Sequence, residues 1–312
     1  MRPKVHVYCN ILDNYGDIGV AYRLAKALAL KDRYDVTLWF SKVPPILFSF
    51  ADCPIELQIK VLTDLTPTIH GDLVVSTFSN QVPTQLKSIN KYYLDLGYMS
   101  LDLRKSQYFP KTGRHSFHPG YLDGFVIGSP PAEPSGEYPT LRISWFSYKG
   151  ELPEKLRFDL ENYPREVTLF SHQLEAYKMG SLEIVPTPFF PQKTFDWLLS
   201  SCDVNFVRGE DSFVRSQLTS AVTIWQPYNR DAPAVTDRLQ TTFVDRYTKA
   251  WPKHLSAYYE DFALHPDKTS IVPLLDNLPT LKPLCKDWKK YILELGDVSN
   301  VVHQHIRKFL NI

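Results

Sequence analysis

Short β-rich runs alternate with segments of helical periodicity along the first part of the chain. Residues 5–12 form a β-rich run, a turn-forming cluster follows at residues 13–17, and apolar side chains recur at helical spacing through residues 18–30. Further strands are predicted at residues 36–40, 55–61, 73–76 and 91–96. This alternation is typical of a doubly wound parallel sheet.

A second series of the same kind follows a stretch rich in glycine, proline and tyrosine, residues 97–139, which we interpret as loops leading to a domain junction. The tail, residues 284–312, is predicted to be mainly helical. The predicted strands of this second series are residues 141–146, 166–170, 183–185, 204–207 and 223–225, and its predicted helices are residues 153–162, 193–201, 212–219 and much of 234–247.

The sequence therefore predicts an α/β protein of two Rossmann-like domains that face each other across a cleft. We place the first domain at residues 1–139, joined by a C-terminal helix at residues 297–312, and the second domain at residues 140–296. Ligands of such sheets bind beyond the carboxyl ends of the strands. This suggests a glycosyltransferase of the two-Rossmann kind, but periodicity alone does not separate that class from a dehydrogenase or a ligase.

Composition narrows the class of protein. The 312 residues carry a net charge of +1, which argues against a broad nucleic-acid or membrane footprint. The amino terminus lacks the apolar core of a signal peptide, and no stretch reaches the ~20 apolar residues of a membrane span. The cysteines Cys9, Cys53, Cys202 and Cys285 lack CxxC spacing, so we expect reduced thiols in a cytoplasmic protein.

Several catalytic signatures are missing from the sequence. It contains no GxGxxG, GxxxxGK[ST], HExxH or GxSxG pattern, so a dinucleotide fingerprint, a P-loop, a zinc-protease helix and a hydrolase nucleophile elbow are unsupported. It also contains no DxD pair that would hold a metal ion. His303 and His305 are near neighbours on a predicted helix, where their side chains point apart, so we expect no metal site.

The first segment that could carry chemistry is Asp13, Asn14, Tyr15, Gly16 and Asp17, at the predicted turn between the first strand and the first helix. Such a turn lies at the mouth of the cleft, Gly16 permits a tight backbone there, and an exposed carboxylate could act as a general base. Alternatively, Asp13 or Asp17 is a helix cap or a first-turn acid favoured by the helix dipole. The segment alone leaves both interpretations open.

The second segment is Arg208, Gly209, Glu210, Asp211 and Ser212, which follows a predicted buried strand. With a helix beginning near Asp211 or Ser212, its free backbone amides and positive dipole end would seat a pyrophosphate. Ser212 would add a hydroxyl, Glu210 would bind ribose or sugar hydroxyls, and Arg208 would pair with phosphate or hold the acidic residues in place. A capping box beside a structural Arg–Glu pair is the equal alternative.

Aromatic residues of the second half suit a flat nucleobase. Phe189 and Phe195 flank Gln192, an arrangement in which two rings hold a base while the amide reads its edge. Phe146 and Tyr148 lie at the end of the first strand of this half. Core packing is the ordinary role of such rings and is the alternative for each of them.

Together these segments resemble the elongation factor P arginine rhamnosyltransferases, the EarP family. The run RGEDSFVR at residues 208–215 matches that family's most distinctive stretch, and CDVNFV at residues 202–207 precedes it as CDLNFV does in the family. The run DNYGDIGV at residues 13–20, with RLA at residues 23–25, matches the family's amino-terminal pattern. Two shorter runs resemble its PGF and PFLPQ elements, namely PGY at residues 119–121 and PFFPQ at residues 188–192.

The resemblance implies a GT-B fold, with the protein acceptor, translation elongation factor P, on the amino-terminal domain and the donor dTDP-β-L-rhamnose on the carboxyl-terminal domain. It implies inverting transfer of rhamnose to an arginine, in support of polyproline translation, with no metal, no other cofactor, no nucleic acid and no membrane. The catalytic residues would be Asp17 as general base, Asp13 and Glu210. The residues that bind the donor would be Asn14, Tyr15, Gly16, Phe146, Tyr148, Phe189, Gln192, Phe195, Arg208, Gly209, Asp211 and Ser212.

The sequence departs from the family in two ways. The chain is shorter, with the deficit in the first domain and the middle loops, and Pro233 stands where the family has a histidine. Two other functions therefore stay open: a related glycosyltransferase with a different nucleotide sugar or acceptor, and a non-catalytic binder of elongation factor P. The presence of Asp13, Asp17 and Glu210 argues against the second of these.

Overall fold

The chain divides into two compact units, which consist of residues 1–129 with 293–312 and of residues 130–292. The sequence predicted a junction after residue 139 and a return at residue 297, so both divisions come earlier in the chain. The computed structural model describes residues 2–12, 14–31, 33–45, 48–77, 82–88, 93–96, 107–109, 114–117, 127–136, 138–146, 151–226 and 243–311.

The first unit is built on a mainly parallel sheet. Its strands are β1 (Lys4–Cys9), β2 (Asp35–Phe40), β3 (Leu57–Val61), β4 (Ile69–Gly71), β5 (Leu73–Thr77), β6 (Leu86–Ser88), β7 (Tyr93–Leu96), β8 (Gln107–Phe109) and β9 (Arg114–Phe117). Seven of them form one sheet in the order β3-β2-β1-β5-β7-β9-β8, in which only β8 runs antiparallel to its neighbour. The strands β4 and β6 form a separate parallel pair.

The second unit repeats this plan with fewer strands. They are β10 (Leu141–Trp145), β11 (Val167–Ser171), β12 (Tyr177–Met179), β13 (Leu182–Pro186), β14 (Val204–Val207) and β15 (Val222–Trp225). Their order is β12-β13-β11-β10-β14-β15, and only β12 is antiparallel. In each sheet the chain starts from an inner strand, β1 or β10, builds outward on one side and then crosses to the other, which is the doubly wound arrangement.

The described helices connect these strands. They are α1 (Asn14–Ala29), α2 (Glu154–Glu161), α3 (Gln192–Ser200), α4 (Glu210–Gln217), α5 (Asp245–Tyr247), α6 (Lys253–Leu264), α7 (Val272–Asp276), α8 (Leu278–Glu294) and α9 (Val298–Leu310). Helix α1 packs on β1 and β2. Its side chains Ile18, Ala21, Leu24 and Leu28 are fully buried, because their helical spacing places them on one face towards the sheet.

The last helix of the chain is tied to the first unit. The carboxylate of Asp297 accepts hydrogen bonds from the amide of Ser299, which caps α9, and from the amide of Gly128 (2.7 and 3.2 Å). Further along the helix, the Tyr34 hydroxyl lies 2.7 Å from Nδ1 of His303. These bonds hold α9 beside the start of β2 and beside Gly128, near the point where the chain leaves the first unit.

Some elements differ from the sequence-based prediction. Helix α1 begins at Asn14, whereas periodicity placed its start at residue 18, because polar residues occupy its first turn. The stretch 97–139, which we interpreted as loops, contains β8 and β9, whose three and four residues are too short to show a strand pattern. The predicted helix at residues 234–247 lies mostly outside the described residues, and its described end is α5.

The cysteines form no disulfide. All four are free, and Cys9, Cys202 and Cys285 are buried. Burial raises the pKa of the Cys202 and Cys285 thiols to about 12, so both remain protonated at neutral pH. Within the described ranges, no helix combines the length and the apolar character needed to cross a membrane.

Gly180 should be intolerant of any side chain. It turns the chain between β12 and β13 at a φ of +55°, and an added Cβ would collide with the backbone carbonyl oxygen of Glu161. We predict that Gly180→Ala lowers the free energy of unfolding by about 1–3 kcal/mol, measured by urea denaturation. The control is Gly136→Ala, where a Cβ meets nothing within 4 Å. Equal stabilities of the two variants would contradict this account of the turn.

Candidate functional site

The candidate site of the second unit lies where β10 and β14 end side by side. The two strands pair in parallel, with Trp145 opposite Phe206. Phe146 and Arg208 follow at the same edge of the sheet, and the amide of Phe146 donates to the carbonyl of Phe206 (3.1 Å). Because the strand order reverses at this point, it is the position at which open α/β sheets bind their ligands.

Helix α4 starts directly after β14 without a side-chain cap. Its N-cap is Gly209, in an extended conformation with φ −71° and ψ 159°, and no side-chain cap hydrogen bond is made. The first amide bonded back along the helix is that of Phe213, 2.9 Å from the carbonyl oxygen of Gly209. The amides of Glu210, Asp211 and Ser212 precede that bond, so they point out of the helix start, where the dipole favours an anion.

The observed cap corrects the expectation from sequence. The helix begins at Glu210 rather than near Asp211 or Ser212, and the capping position is held by glycine instead of an aspartate or a serine. The Ser212 hydroxyl donates to the carbonyl of Gly209 (2.9 Å), so it lies on the first turn of α4. A helix start of this kind suits a ligand that accepts hydrogen bonds from backbone amides.

The strand end before this helix is fixed by its neighbours. The indole Nε1 of Trp225 donates to the carbonyl oxygen of Arg208 (2.9 Å), and the amide of Gln226 donates to the carbonyl of Val207 (2.8 Å). The backbone that presents Arg208 and the start of α4 therefore has a defined position. Pro233, which stands where the family has a histidine, lies outside the described residues.

Four aromatic rings form a cluster at the same edge of the sheet. Phe146 stacks on His172 with ring centroids 5.3 Å apart and an interplanar angle of 19°. Phe146 also meets Phe195 edge to face at 4.8 Å, and His172 meets Phe189 at 4.6 Å. All four residues are partly exposed, as a surface that contacts a flat ligand must be.

The cluster contains the predicted base-binding residues. Phe189 and Phe195 are linked through the rings of His172 and Phe146. Gln192 is the first residue of α3, where its side chain is buried. The structure thus brings these predicted residues to one edge, and a base held between Phe189 and Phe195 stays a prediction.

His172 was missed by the sequence reasoning. It directly follows β11, the neighbour of the central strand β10, and so reaches the same edge as Phe146. Burial lowers the pKa of His172 below its ordinary value, so the ring is neutral at pH 7 and packs as an aromatic group. A histidine just beyond the predicted strand at residues 166–170 was the available signal, but the order of the strands was needed to interpret it.

In the first unit, Asp17 lies in the first turn of α1, at the corresponding edge of the other sheet. Its side chain is 9% exposed, and its Oδ2 accepts a hydrogen bond from the amide of Leu12 (2.7 Å). The carboxylate therefore fixes the backbone that leads from β1 into the helix. This contact is compatible with a structural acid in the first turn of the helix. It is also compatible with a general base, because the hydrogen bond fixes the direction of the carboxylate.

The thiol nearest to Asp17 in the first strand, that of Cys9, is protonated. Cys9 ends β1, and burial together with the negative charge of Asp17 raises the pKa of its thiol well above the ordinary value. Tyr15 and Gly16 also lie in the first turn of α1, where we expected a turn before the helix, and burial raises the pKa of the Tyr15 hydroxyl. Among the described residues at this position, the Asp17 carboxylate is a group that can carry negative charge and accept a proton.

Other predicted residues are described in part. Asp13 and Tyr148 lie outside the described residues. Asn14 and Glu210 are the first residues of α1 and α4, so their backbones lie at the two helix starts. Within the described ranges, no group of three or more His, Cys, Asp or Glu side chains is arranged to hold a metal ion.

The predicted residues thus fall into two groups, one in each unit. The first turn of α1 carries Asn14, Tyr15, Gly16 and Asp17. An uncapped helix start beside an aromatic cluster suits a ligand with an anionic part and a flat ring, such as a nucleotide. The residues at that edge of the second unit are Phe146, Phe189, Gln192, Phe195, Arg208, Gly209, Asp211 and Ser212.

Solved structures of similar fold include glycosyltransferases. The chain matches the structure described as the structural basis for EarP-mediated arginine glycosylation of translation elongation factor EF-P, with a TM-score of 0.56, 19% identity, and coverage of 98% of this chain and 99% of that one. It matches the crystal structure of the glycotransferase of kitacinnamycin with a TM-score of 0.53, 10% identity and 99% coverage of each chain. The fold is GT-B.

Sequence comparison identifies the family. The protein-arginine rhamnosyltransferase of Pseudomonas putida is 26% identical, over 77% of this chain and 80% of that protein. The protein-arginine rhamnosyltransferase of Shewanella oneidensis is 27% identical, over 72% of this chain and 76% of that protein. The family described as Elongation-Factor P (EF-P) rhamnosyltransferase EarP matches residues 5–103 and 141–307. The chain therefore belongs to the EarP family of elongation factor P rhamnosyltransferases.

Proposed function

We propose that this protein transfers L-rhamnose from dTDP-β-L-rhamnose to an arginine of translation elongation factor P, with inversion at the anomeric carbon and without a metal ion. The observation that carries the proposal is the uncapped start of α4, within RGEDSFVR, beside the aromatic cluster of the second unit. Membership of the EarP family supports the acceptor, and the chemistry of the site supports a nucleotide-linked donor.

The second unit is proposed to bind the donor. The thymine would pack against Phe189 and Phe195, with Gln192 reading its edge, because partly exposed rings offer a flat apolar surface. The diphosphate would lie at the start of α4 and accept hydrogen bonds from the backbone amides and from the Ser212 hydroxyl, whose proton would turn from the Gly209 carbonyl to a phosphate oxygen. Glycine at the cap favours this placement, since Gly209 has no side chain between the amides and a phosphate.

The start of α4 is proposed to stabilise the leaving group as well. When the bond between C1 of rhamnose and the diphosphate oxygen breaks, negative charge grows on that oxygen. The helix amides, the dipole and the Arg208 guanidinium would neutralise this charge in the role that a bound cation has in metal-dependent enzymes. This placement supports transfer in the absence of a divalent metal.

The first unit is proposed to activate the acceptor. The guanidinium of arginine is a poor nucleophile, because its lone pairs are delocalised and its pKa lies above about 12. Asp17 would orient the attacking nitrogen, stabilise its positive charge and take the proton as the bond to C1 forms. A direct displacement turns the β-linked donor into an α-rhamnosyl arginine and releases dTDP. Asp13 would be a second carboxylate that supports the loop or the acceptor.

The proposal is tested by the intact mass of unmodified elongation factor P after incubation with this protein and dTDP-β-L-rhamnose in EDTA. We expect a gain of one deoxyhexose, and no gain when the acceptor arginine is replaced by lysine. A gain that occurs only with added divalent metal would overturn metal independence. Binding of dTDP without any gain in mass would overturn elongation factor P as the acceptor but would still support a dTDP-linked donor.

The carboxylate of Asp17 should matter for transfer and not for donor binding. Asp17→Asn keeps an oxygen that can accept from the Leu12 amide but removes the proton acceptor, so we predict that kcat falls by about 10²–10⁴-fold. The Kd for dTDP should change by less than about 2-fold, because Asp17 belongs to the other unit. Transfer at the wild-type rate would remove Asp17 from the mechanism.

The matched control is Asp72→Asn. Asp72 accepts a hydrogen bond from the amide of Lys4 (2.7 Å), which is the same kind of contact as that between Asp17 and Leu12. It lies at the opposite, amino-terminal edge of the same sheet, just before β5. The kcat of transfer and the Kd for dTDP should both be unchanged in this variant. A comparable fall of kcat in Asp17→Asn and Asp72→Asn would indicate a general loss of structure.

The aromatic cluster should be needed for affinity towards the nucleotide. Stacking of a base on one aromatic ring contributes about 1–3 kcal/mol, so Phe189→Ala and Phe195→Ala should each weaken dTDP binding by about 5- to 150-fold. The measurement is calorimetric titration with dTDP. Phe158→Ala is the control, because that ring lies on α2 and is exposed. Unchanged affinity in both cluster variants would place the base elsewhere.

A further inference from the structure

A buried ion pair joins the two helices that carry the proposed donor site. Arg215 of α4 donates through Nε to Oδ1 of Asp196 (3.1 Å) and through a terminal nitrogen to Oδ2 (2.8 Å). The side chains are 2% and 9% exposed, so the pair is almost entirely removed from water. Arg215 is the last residue of the RGEDSFVR run, and the proposed function gives it no role.

Each residue of the pair lies one helical turn after a residue that is predicted to contact the ligand. On α3, Asp196 is four residues after Gln192 and therefore on the same face, next to Phe195. On α4, Arg215 is three residues after Ser212 and four after Asp211, so it shares their face. The ion pair thus links the face that carries base contacts with the face that carries phosphate contacts.

The other side of α4 is held by different contacts. Phe213 stacks on Trp225 with ring centroids 4.0 Å apart, and the Ser216 hydroxyl lies 2.7 Å from that of Thr223. These contacts fix α4 on β15, and the ion pair adds a direct link between the side chains of α4 and α3. A planar guanidinium that meets both oxygens of a carboxylate restrains rotation as well as distance.

Stability alone is a weak reason for such a pair. Removing two charges from water is costly, and apolar side chains of similar volume often give equal or greater stability at such positions. What an apolar pair does not supply is a defined angle between the two helices. The ion pair is therefore better explained by a need to orient α4 relative to α3 than by a need for stability.

We propose that Arg215 and Asp196 are positioning residues that set the spacing between the base contacts of α3 and the diphosphate contacts of α4, so that a nucleoside diphosphate engages both at once. This inference rests on the proposed donor site. A ligand that binds at two linked points gains affinity only if both points are correctly spaced. Loss of the ion pair should consequently weaken binding of the whole nucleotide more than binding of the nucleoside alone or of pyrophosphate alone.

The test compares dTDP, thymidine and inorganic pyrophosphate on the full chain, by calorimetry for dTDP and by NMR titration for the two fragments. In Asp196→Asn we expect the Kd for dTDP to rise by about 10-fold or more, while the Kd of each fragment changes by less than about 3-fold. For transfer, kcat/KM for dTDP-β-L-rhamnose should fall more than kcat does, because the loss lies mainly in donor binding. An unchanged dTDP affinity would overturn the positioning role.

A second variant keeps the test valid if the unpaired arginine destabilises the fold. Arg215→Met combined with Asp196→Leu removes both charges and retains buried volume. We expect it to bind dTDP about 10-fold or more weakly, with the fragments again little affected. Affinity for dTDP equal to that of the wild type would show that the pair only fills space.

Asp159→Asn is the matched control for a buried carboxylate in the same unit. Asp159 is 5% exposed and accepts from Lys155, from the Ser270 hydroxyl and from the Ile271 amide (2.6, 2.7 and 3.0 Å). This variant should lose stability and keep its affinity for dTDP, so a parallel loss of all three ligands in both carboxylate variants would overturn the proposal. Failure of the wild-type protein to bind dTDP would instead overturn the proposed donor.

Discussion

The parallel pairing of β10 with β14 determines where the residues proposed to bind the donor can lie in the second unit. Both strands are held on two sides, β10 by β11 and β14 by β15, and every residue of β14 is buried. Their ends therefore cannot slide, and Phe146 and Arg208 leave the sheet side by side. Since α4 begins at Glu210, its first turn lies at the same edge that carries the aromatic cluster. The geometry proposed for donor binding depends on this pairing.

The two units use one structural plan for opposite electrostatic tasks. In both, a helix starts just beyond an inner strand of a doubly wound sheet, where the dipole attracts negative charge. In the first unit that place carries the Asp17 carboxylate, which bonds the amide of Leu12. In the second, Gly209 leaves the helix start without a side-chain cap, so an anionic ligand can occupy it. In our proposal the first of these helix starts supplies a proton acceptor and the second binds the diphosphate.

Sequence reasoning was most accurate where the signal is local. The strand at residues 204–207 has the predicted bounds, because an apolar run is flanked there by Asp203 and Arg208. The starts of α1 and α4 were placed too late, since the first turns of both helices are polar. His172 reaches the site only through the order β11-β10, and Asp196 meets Arg215 across two helices, so neither was evident before the strands and helices had been placed in space.

The central claim is that the diphosphate of the donor binds the backbone amides at the start of α4. Amide hydrogen exchange, measured with and without dTDP, tests it directly. We expect exchange at Glu210, Asp211 and Ser212 to slow by about 10-fold or more when dTDP saturates the protein, because those amides would bond to the diphosphate. Unchanged exchange of these three amides in the saturated protein would show that the diphosphate binds elsewhere.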